Sequence, residues 1–329
     1  MPTHIFLQNT IAVVWDFDKT LTKGYMQEPL FKHYNVSGQD FWKEVNALPE
    51  FHKKYDGLNN VSKDTIYLNH ILEYVRQGKF KGLSNEMLRK FGASISFYPG
   101  IPTFFKEVKE KIERNRTYKK HEIKVEHYIV STGLTQIILG SKIRPYVEYV
   151  WGCEFVETIP GPGYLKSPNK KYLKTRRKQI SGLGYVIDNT TKTRAIFEIN
   201  KGSNKQNIDV NASMDESERR VPFQNMIYIA DGPSDVPVFS LVKRNGGKNF
   251  AVYRSKSDAE FKQVNELQRQ GRIHAFGEAD YRQGKQAYMW IMNAVTEIAD
   301  RIARDRSDAL TRMLGTPPSH IIDSNGKSR

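Results

Sequence analysis

Ile11 to Thr22 reads IAVVWDFDKTLT. Five apolar residues, Ile11 to Trp15, run without interruption into Asp16, and Asp18 follows after a single phenylalanine. A continuous apolar run of strand length suits a strand covered on both faces, as in a parallel sheet between helices. Two carboxylates at the mouth of such a strand are costly. Unit charges about 4 Å apart repel by about 4 kcal/mol at an effective dielectric near 20. The chain must bring something to offset that repulsion.

The 329 residues suit one large domain or two unequal ones. Apolar content of 39% with 12% aromatics belongs to a globular chain and excludes a disordered one. No apolar run approaches the ~20 residues of a membrane span, so no membrane partner is expected. The opening MPTHIFLQNT lacks a charged segment followed by an apolar core, so no signal peptide is expected. Cys153 is the only cysteine, which excludes an internal disulfide and points to a reducing cytoplasm. One thiol and eight scattered histidines argue against a Cys/His zinc site. The formal charge of +15 favours anionic partners, from phosphate esters to nucleic acid or a membrane surface. Part of it lies in YLKSPNKKYLKTRRKQ, Tyr164 to Gln179, with seven Lys/Arg and no acid. A solvated loop is the plainer reading of that strip, and a grip on an anionic substrate the sharper one.

Four further apolar runs of strand length follow: His127–Val130, Tyr149–Trp151, Met226–Ala230 and Phe250–Tyr253. Ile101–Asn115 and Thr191–Gly202 carry apolar residues at helical spacing between them, the latter ending on a glycine suited to a C-cap. This alternation predicts an α/β fold with a doubly wound, mainly parallel sheet. Residues 26–98 differ, with helices and no strands: SKDTIYLNHILEYVRQG is expected to start at Ser62 as N-cap and stop at Gly78, and SNEMLRKFG forms a second capped helix. The expected division is an α/β core of residues 1–25 and 99–313 with a helical module, 26–98, inserted after the first strand. The polar stretch 203–224 is expected to be a mobile insertion, and 314–329 a disordered tail.

Three of the apolar runs end in unusual polar residues: Asp16, Asp18 and Thr20; Ser131, Thr132 and Gly133; Asp231, Ser234 and Asp235. Ligands of open parallel sheets bind beyond the carboxyl ends of strands, where strand order reverses. Neighbouring strands ending this way would gather four carboxylates, and a divalent cation is the simplest offset to their charge. Magnesium fits, since it takes oxygen ligands from one or two carboxylates with phosphate and water. Asp16 and Asp231 are the expected carboxylate ligands, and a turn at Phe17 lets the Asp18 carbonyl face the metal while its side chain faces substrate. Asp16, ionised beside the metal, is suited to attack phosphorus. Asp18, near like charge, is expected to have a raised pKa and to act as general acid and then base. Ser131, Thr132, Thr20 and Lys192 are the expected phosphate-binding groups, with Lys192 better placed than Lys201. Plainer roles suit other residues: His127 in the core, Ala287–Val295 as a packing face, and Asp235 also as N-cap of the helix through VPVFSLV.

DFDKTLT, VSTG, the helix of Lys192 and DGPSD resemble, in order, the four motifs of the haloacid dehalogenase superfamily of phosphohydrolases. Within it the nearest branch is that of phosphoserine phosphatase, with a helical C1-type cap between the first two motifs. The resemblance covers Ile11 to about Tyr253 apart from the polar insertion, and matches the cap in position more than in residues. It implies a magnesium-dependent phosphomonoesterase working through an aspartyl-phosphate on Asp16. It further implies that Asp18 gives its backbone oxygen to the metal and that Asp235 steadies the metal shell. Relatives that break carbon–halogen or carbon–phosphorus bonds usually lack the acid standing here as Asp18, and ion-pumping relatives need membrane spans. One departure counts against phosphoserine as substrate: the glutamate that reads the amino acid is matched by Tyr25, with Glu28 three residues later. The expected substrate is a small phosphorylated metabolite. A nucleotide or nucleic-acid-end phosphatase using the strip 164–179, and a phosphatase-like binding or regulatory module, are the alternatives.

Overall fold

The computed structural model describes residues 7–166 and 178–314. Most of the basic strip (167–177) and the tail from 315 onward therefore lie outside the described residues. Among the described residues, seven strands form one sheet: β1 (Thr10–Trp15), β2 (Lys124–Leu134), β3 (Tyr149–Val156), β4 (Gly182–Tyr185), β5 (Met226–Ala230), β6 (Lys248–Tyr253) and β7 (Ala275–Glu278). Their order is β4-β3-β2-β1-β5-β6-β7, parallel throughout except for β4, which runs antiparallel to β3. This is the expected doubly wound α/β sheet. Every residue of β1 is buried, and successive side chains point to opposite faces, so both faces are covered.

The α-helices of the described residues, in chain order, are α1 (Glu28–His33), α2 (Gly38–Asp56), α3 (Ile66–Arg76), α4 (Asn85–Gly92), α5 (Thr103–Glu113), α6 (Arg116–Lys120), α7 (Thr135–Leu139), α8 (Lys192–Lys201), α9 (Val236–Arg244), α10 (Asp258–Arg269) and α11 (Gln286–Leu314). Helix α5 buries Phe104, Phe105, Val108 and Ile112, the stripe its spacing predicts. Trp15 meets Phe105 and Tyr281 edge-on, with ring centroids 5.1 and 5.6 Å apart. Ala287, Ile291, Ala294 and Val295 of α11 are buried, so that aromatic-rich stretch is a packing face.

Helices α1 to α4 leave the sheet after β1 and share aromatic contacts of their own, such as Phe31–Phe41 at 4.8 Å and Tyr74–Phe80 at 4.9 Å. Ser84 caps α4 by accepting from the Met87 amide at 3.2 Å. Helix α3 corrects one expectation. It begins at Ile66, and Ser62 accepts from the Thr65 hydroxyl at 2.8 Å instead of capping the helix. The chain returns beside its point of departure, where Thr22 bridges Phe97 and the Tyr98 amide donates to the Leu21 carbonyl at 2.8 Å. Gly100 makes that return possible. Its φ is +93°, and a Cβ there would stand 2.4 Å from the carbonyl carbon of Tyr281.

Strands β4 and β7 were not apparent in the sequence. Strand β2 runs past Val130 to Leu134, with its pairing to β3 shifted between those residues, so Ser131 to Gly133 lie in its irregular end. Residues 203–224 hold a short 3-10 turn at Glu216–Glu218. Near their end Val221 is buried, and the Arg220 guanidinium forks onto Glu126 at 2.7 and 2.5 Å. Among the described residues, no helix is long and apolar enough to cross a membrane.

Candidate active site

Chain order reverses between β1 and β5, the place where an open sheet offers a crevice. Trp15, the last residue of β1, pairs with Ile129 of β2 and Ile229 of β5, so the three strands are in step there. Asp16, Ser131 and Asp231 thus leave neighbouring strands at nearly the same height. They line a cleft of about 490 Å³ together with Asp18, Thr132 and Lys192. Far segments of the chain meet there.

Lys192, at the first position of α8, is 2% exposed and spans two acids. Its Nζ lies 2.8 Å from Asp16 Oδ1 and 2.7 Å from Asp235 Oδ1. Burial alone would lower its pKa, but Asp16 and Asp235 outweigh that and raise it, so the ammonium stays charged. Lys201, at the other end of α8, donates instead to the carbonyls of Val210 and Ala212 at 2.7 and 2.6 Å. Asp235 does not cap α9 with its side chain. That carboxylate turns inward, accepting from Lys192, from the Tyr228 hydroxyl at 2.5 Å and from the Ser234 hydroxyl at 3.0 Å.

Thr20 stands apart from the other expected phosphate-binding residues. It is fully buried beneath the cleft, and its hydroxyl donates to Asp16 Oδ2 at 3.2 Å. Tyr281 donates in turn to the Thr20 carbonyl at 2.7 Å, which fixes the turn after β1. Asp18 Oδ1 accepts from the Met26 amide at 2.9 Å. The Ser131 oxygen accepts from the Gly133 amide at 3.0 Å, leaving its O–H to donate elsewhere. His127 is a core residue: Nδ1 accepts from Trp15 Nε1 at 3.2 Å and Nε2 donates to the Phe105 carbonyl at 3.1 Å.

The acids outnumber the cations. Burial raises Asp16 to about 6, against the opposing pull of Lys192. Burial and then the charge of Asp16 raise Asp231 to about 8, and the same two causes lift Asp18 well above the usual carboxylate range. Asp16, Asp231 and Asp235 present oxygens within 4.8 Å of one another. Hard oxygen donors in negative excess fit a divalent cation. Asp235, expected to steady the metal shell, is the third member of this cluster.

The second wall of the cleft was missed by the sequence reading. Gln27, Trp42 and Tyr67 come from the helical segment and Tyr25 from the turn just before it, and Tyr67 donates to the Thr132 carbonyl at 2.8 Å. Only Tyr25 carried a signal, as the residue standing where a glutamate was sought. Glu28 does not replace that glutamate in the cleft. It lies against Gly24, in a separate cleft of about 660 Å³ on the other side of Tyr25.

No protein-family model matches the chain. An uncharacterized protein of Borreliella burgdorferi is 40% identical over 291 residues, covering 88% of this chain and 97% of that protein. Among solved structures, the chain is similar to a HAD family hydrolase from Salmonella enterica serovar Typhi, at 13% identity and a TM-score of 0.49, over 82% of this chain and 66% of that one. It is also similar to a probable phosphoserine phosphatase from Vibrio cholerae, at 13% identity and a TM-score of 0.48, over 90% and 68% of the two chains. The chain thus spans about two thirds of the length of each of these two structures. The chain belongs to one family with the Borreliella burgdorferi protein, and its four ordered motifs, which resemble those of the haloacid dehalogenase superfamily, meet at the switch point of a doubly wound sheet.

Proposed function

We propose that the protein is a magnesium-dependent phosphomonoesterase that acts through an aspartyl-phosphate on Asp16, with a small phosphorylated metabolite as substrate. The observation that carries this reading is the buried bridge from Lys192 to Asp16 and Asp235, 2.8 and 2.7 Å long, beneath a cleft that also gathers Asp18, Ser131, Thr132 and Asp231.

Asp16, Asp231 and the Asp18 carbonyl would hold magnesium, with Asp235 completing the acid cluster, and the bound ion supplies Lewis-acid neutralisation of phosphoryl oxygens. Lys192 keeps Asp16 ionised and adds positive charge beside the equatorial oxygens. The Ser131 hydroxyl and the Thr132 amide donate to the same oxygens. As the Asp16 carboxylate forms its bond to phosphorus, the ester bond to the leaving oxygen breaks, and Asp18 gives that oxygen a proton. Asp18 then takes a proton from water, whose oxygen attacks phosphorus and frees Asp16. The Met26 amide orients Asp18 for both transfers, and Thr20 orients Asp16. The helical segment 26–98 serves as a cap that excludes bulk water and meets the leaving group.

Phosphate release from p-nitrophenyl phosphate and a panel of natural monoesters, with magnesium, tests the reading. The wild type is expected to turn over, and Asp16→Asn to lose at least about a thousandfold in kcat while keeping its fold. Turnover by Asp16→Asn near the wild-type rate would contradict it.

A further inference from the structure

We infer that Tyr67 is a positioning residue for phosphoryl transfer: its hydroxyl fixes the Thr132–Gly133 peptide, and that peptide sets Ser131 Oγ for the phosphate. The inference rests on the phosphatase reading and adds to it a residue of the helical segment that shapes the phosphate site itself.

The sheet secures the turn with the phosphate donors only loosely. Pairing of β2 with β1 stops at Ile129, and its pairing with β3 shifts between Val130 and Leu134. Among the described residues, Ser131, Thr132 and Gly133 therefore have no register partner on either strand. Their peptide groups need partners from elsewhere. Tyr67, buried on α3, donates its hydroxyl to the Thr132 carbonyl at 2.8 Å. At the other end of the same peptide, the Gly133 amide donates to Ser131 Oγ at 3.0 Å. A peptide unit is planar and stiff, so a grip on its carbonyl also aims its N–H. The path of contact thus runs from α3 to the Ser131 hydroxyl, whose hydrogen is left to meet a phosphoryl oxygen.

Met26, where the helical segment begins, holds the same turn from a second point. Its Sδ accepts from the Leu134 amide at 3.0 Å, and a Cβ on Gly133 would stand 2.2 Å from its methyl carbon. Only a glycine lets Met26 lie that close. The Met26 amide also grips Asp18 at 2.9 Å, so one residue ties the acid to the phosphate turn. Cys153 Sγ approaches the Thr132 carbonyl at 3.4 Å, but a thiol is a weak donor and does not replace a phenol. Tyr67 also lines the cleft, so a direct contact with the leaving group is the rival role. Its one O–H is already spent on Thr132, which favours positioning.

The test is a double-mutant cycle of Tyr67→Phe and Ser131→Ala. It is read as kcat/KM on p-nitrophenyl phosphate and on the two natural monoesters that the wild type cleaves best. It is read again, without turnover, by calorimetric titration of inorganic phosphate. Tyr67→Phe keeps the ring and removes only the hydroxyl. It is expected to lower kcat/KM by about tenfold, the worth of about one hydrogen bond, and alike on every ester, since the phosphoryl group is common to all. Phosphate affinity should fall with it. On the Ser131→Ala background the same change should cost less than about twofold in both readouts, because the hydroxyl it positions is gone. A loss confined to one ester would make Tyr67 a contact of the leaving group. Equal losses with and without the Ser131 hydroxyl would make it a general structural contact. Either result, or a Tyr67→Phe enzyme within about twofold of the wild type, would overturn the inference and leave the phosphatase reading standing. A wild type that cleaves none of the esters, p-nitrophenyl phosphate included, would overturn both.

Discussion

Lys192 is the residue on which the site's electrostatics turn. A lysine 2% exposed owes its charge to the two carboxylates it touches, and Asp16 owes part of its ionisation to the lysine. Lys192→Met removes the shared cation and leaves Asp16 and Asp235 facing each other without it. Losing one partner of a buried ion pair costs about 3–5 kcal/mol, so the urea midpoint is expected to fall accordingly and hydrolysis to be lost. A variant with unchanged midpoint and turnover would show that the bridge carries neither stability nor chemistry. Asp16, Asp18, Ser131, Lys192, Asp231 and Asp235 were all legible in the sequence, because their motifs sit at fixed offsets from apolar strands. Thr20 was legible as a member of the site but not in its setting: its hydroxyl lies under the cleft, on Asp16.

Strand β2 carries an acid-sensitive group. His127 is enclosed between Trp15 and Phe105, and burial lowers its pKa to about 3. Its folded pKa lies below the unfolded value, so its stability contribution is complete above about pH 6.5 and is lost as pH falls toward 3. Between about pH 7 and pH 5 this one residue should cost about 2 kcal/mol, as the unfolded chain takes up a proton that the folded chain refuses. His127→Gln keeps an acceptor for Trp15 and a donor for Phe105 but does not titrate. Its denaturation midpoint should therefore fall less than that of the wild type over the same range; equal falls would refute the assignment. At this scale the sequence was legible where apolar residues run together and opaque where other signals compete. Strand β4, GLGY, is glycine-rich and largely exposed on the sheet's edge, so it offers no apolar run. Helix α2 contains Pro49, a residue that ordinarily ends a helix, and it buries only Phe41 and Val45.

For the whole molecule, two distant parts of the chain must close on one cleft. The α/β core supplies Asp16, Asp18, Asp231 and Lys192, while the helical segment supplies Gln27, Trp42 and Tyr67. The core half was legible because strand ends converge by topology. The other half was not, since helix packing decides which side chains of residues 26–98 turn toward the acids. The crowding of carboxylates at the junction makes the fold respond to metal. Magnesium at about a hundred times its dissociation constant should stabilise the protein by about 2.7 kcal/mol, read as a concentration-dependent rise in melting temperature. Chelation should reverse the rise and Asp231→Asn should abolish most of it; an unchanged melting temperature in the wild type would argue against a metal site here. The most direct test of the account is to quench the enzyme during turnover, reduce any acyl phosphate with borohydride and map the product by peptide mass spectrometry. The account predicts a homoserine in place of Asp16, absent from Asp16→Asn and from enzyme without substrate. A covalent adduct on any other residue, or sustained turnover with Asp16 never modified, would contradict it.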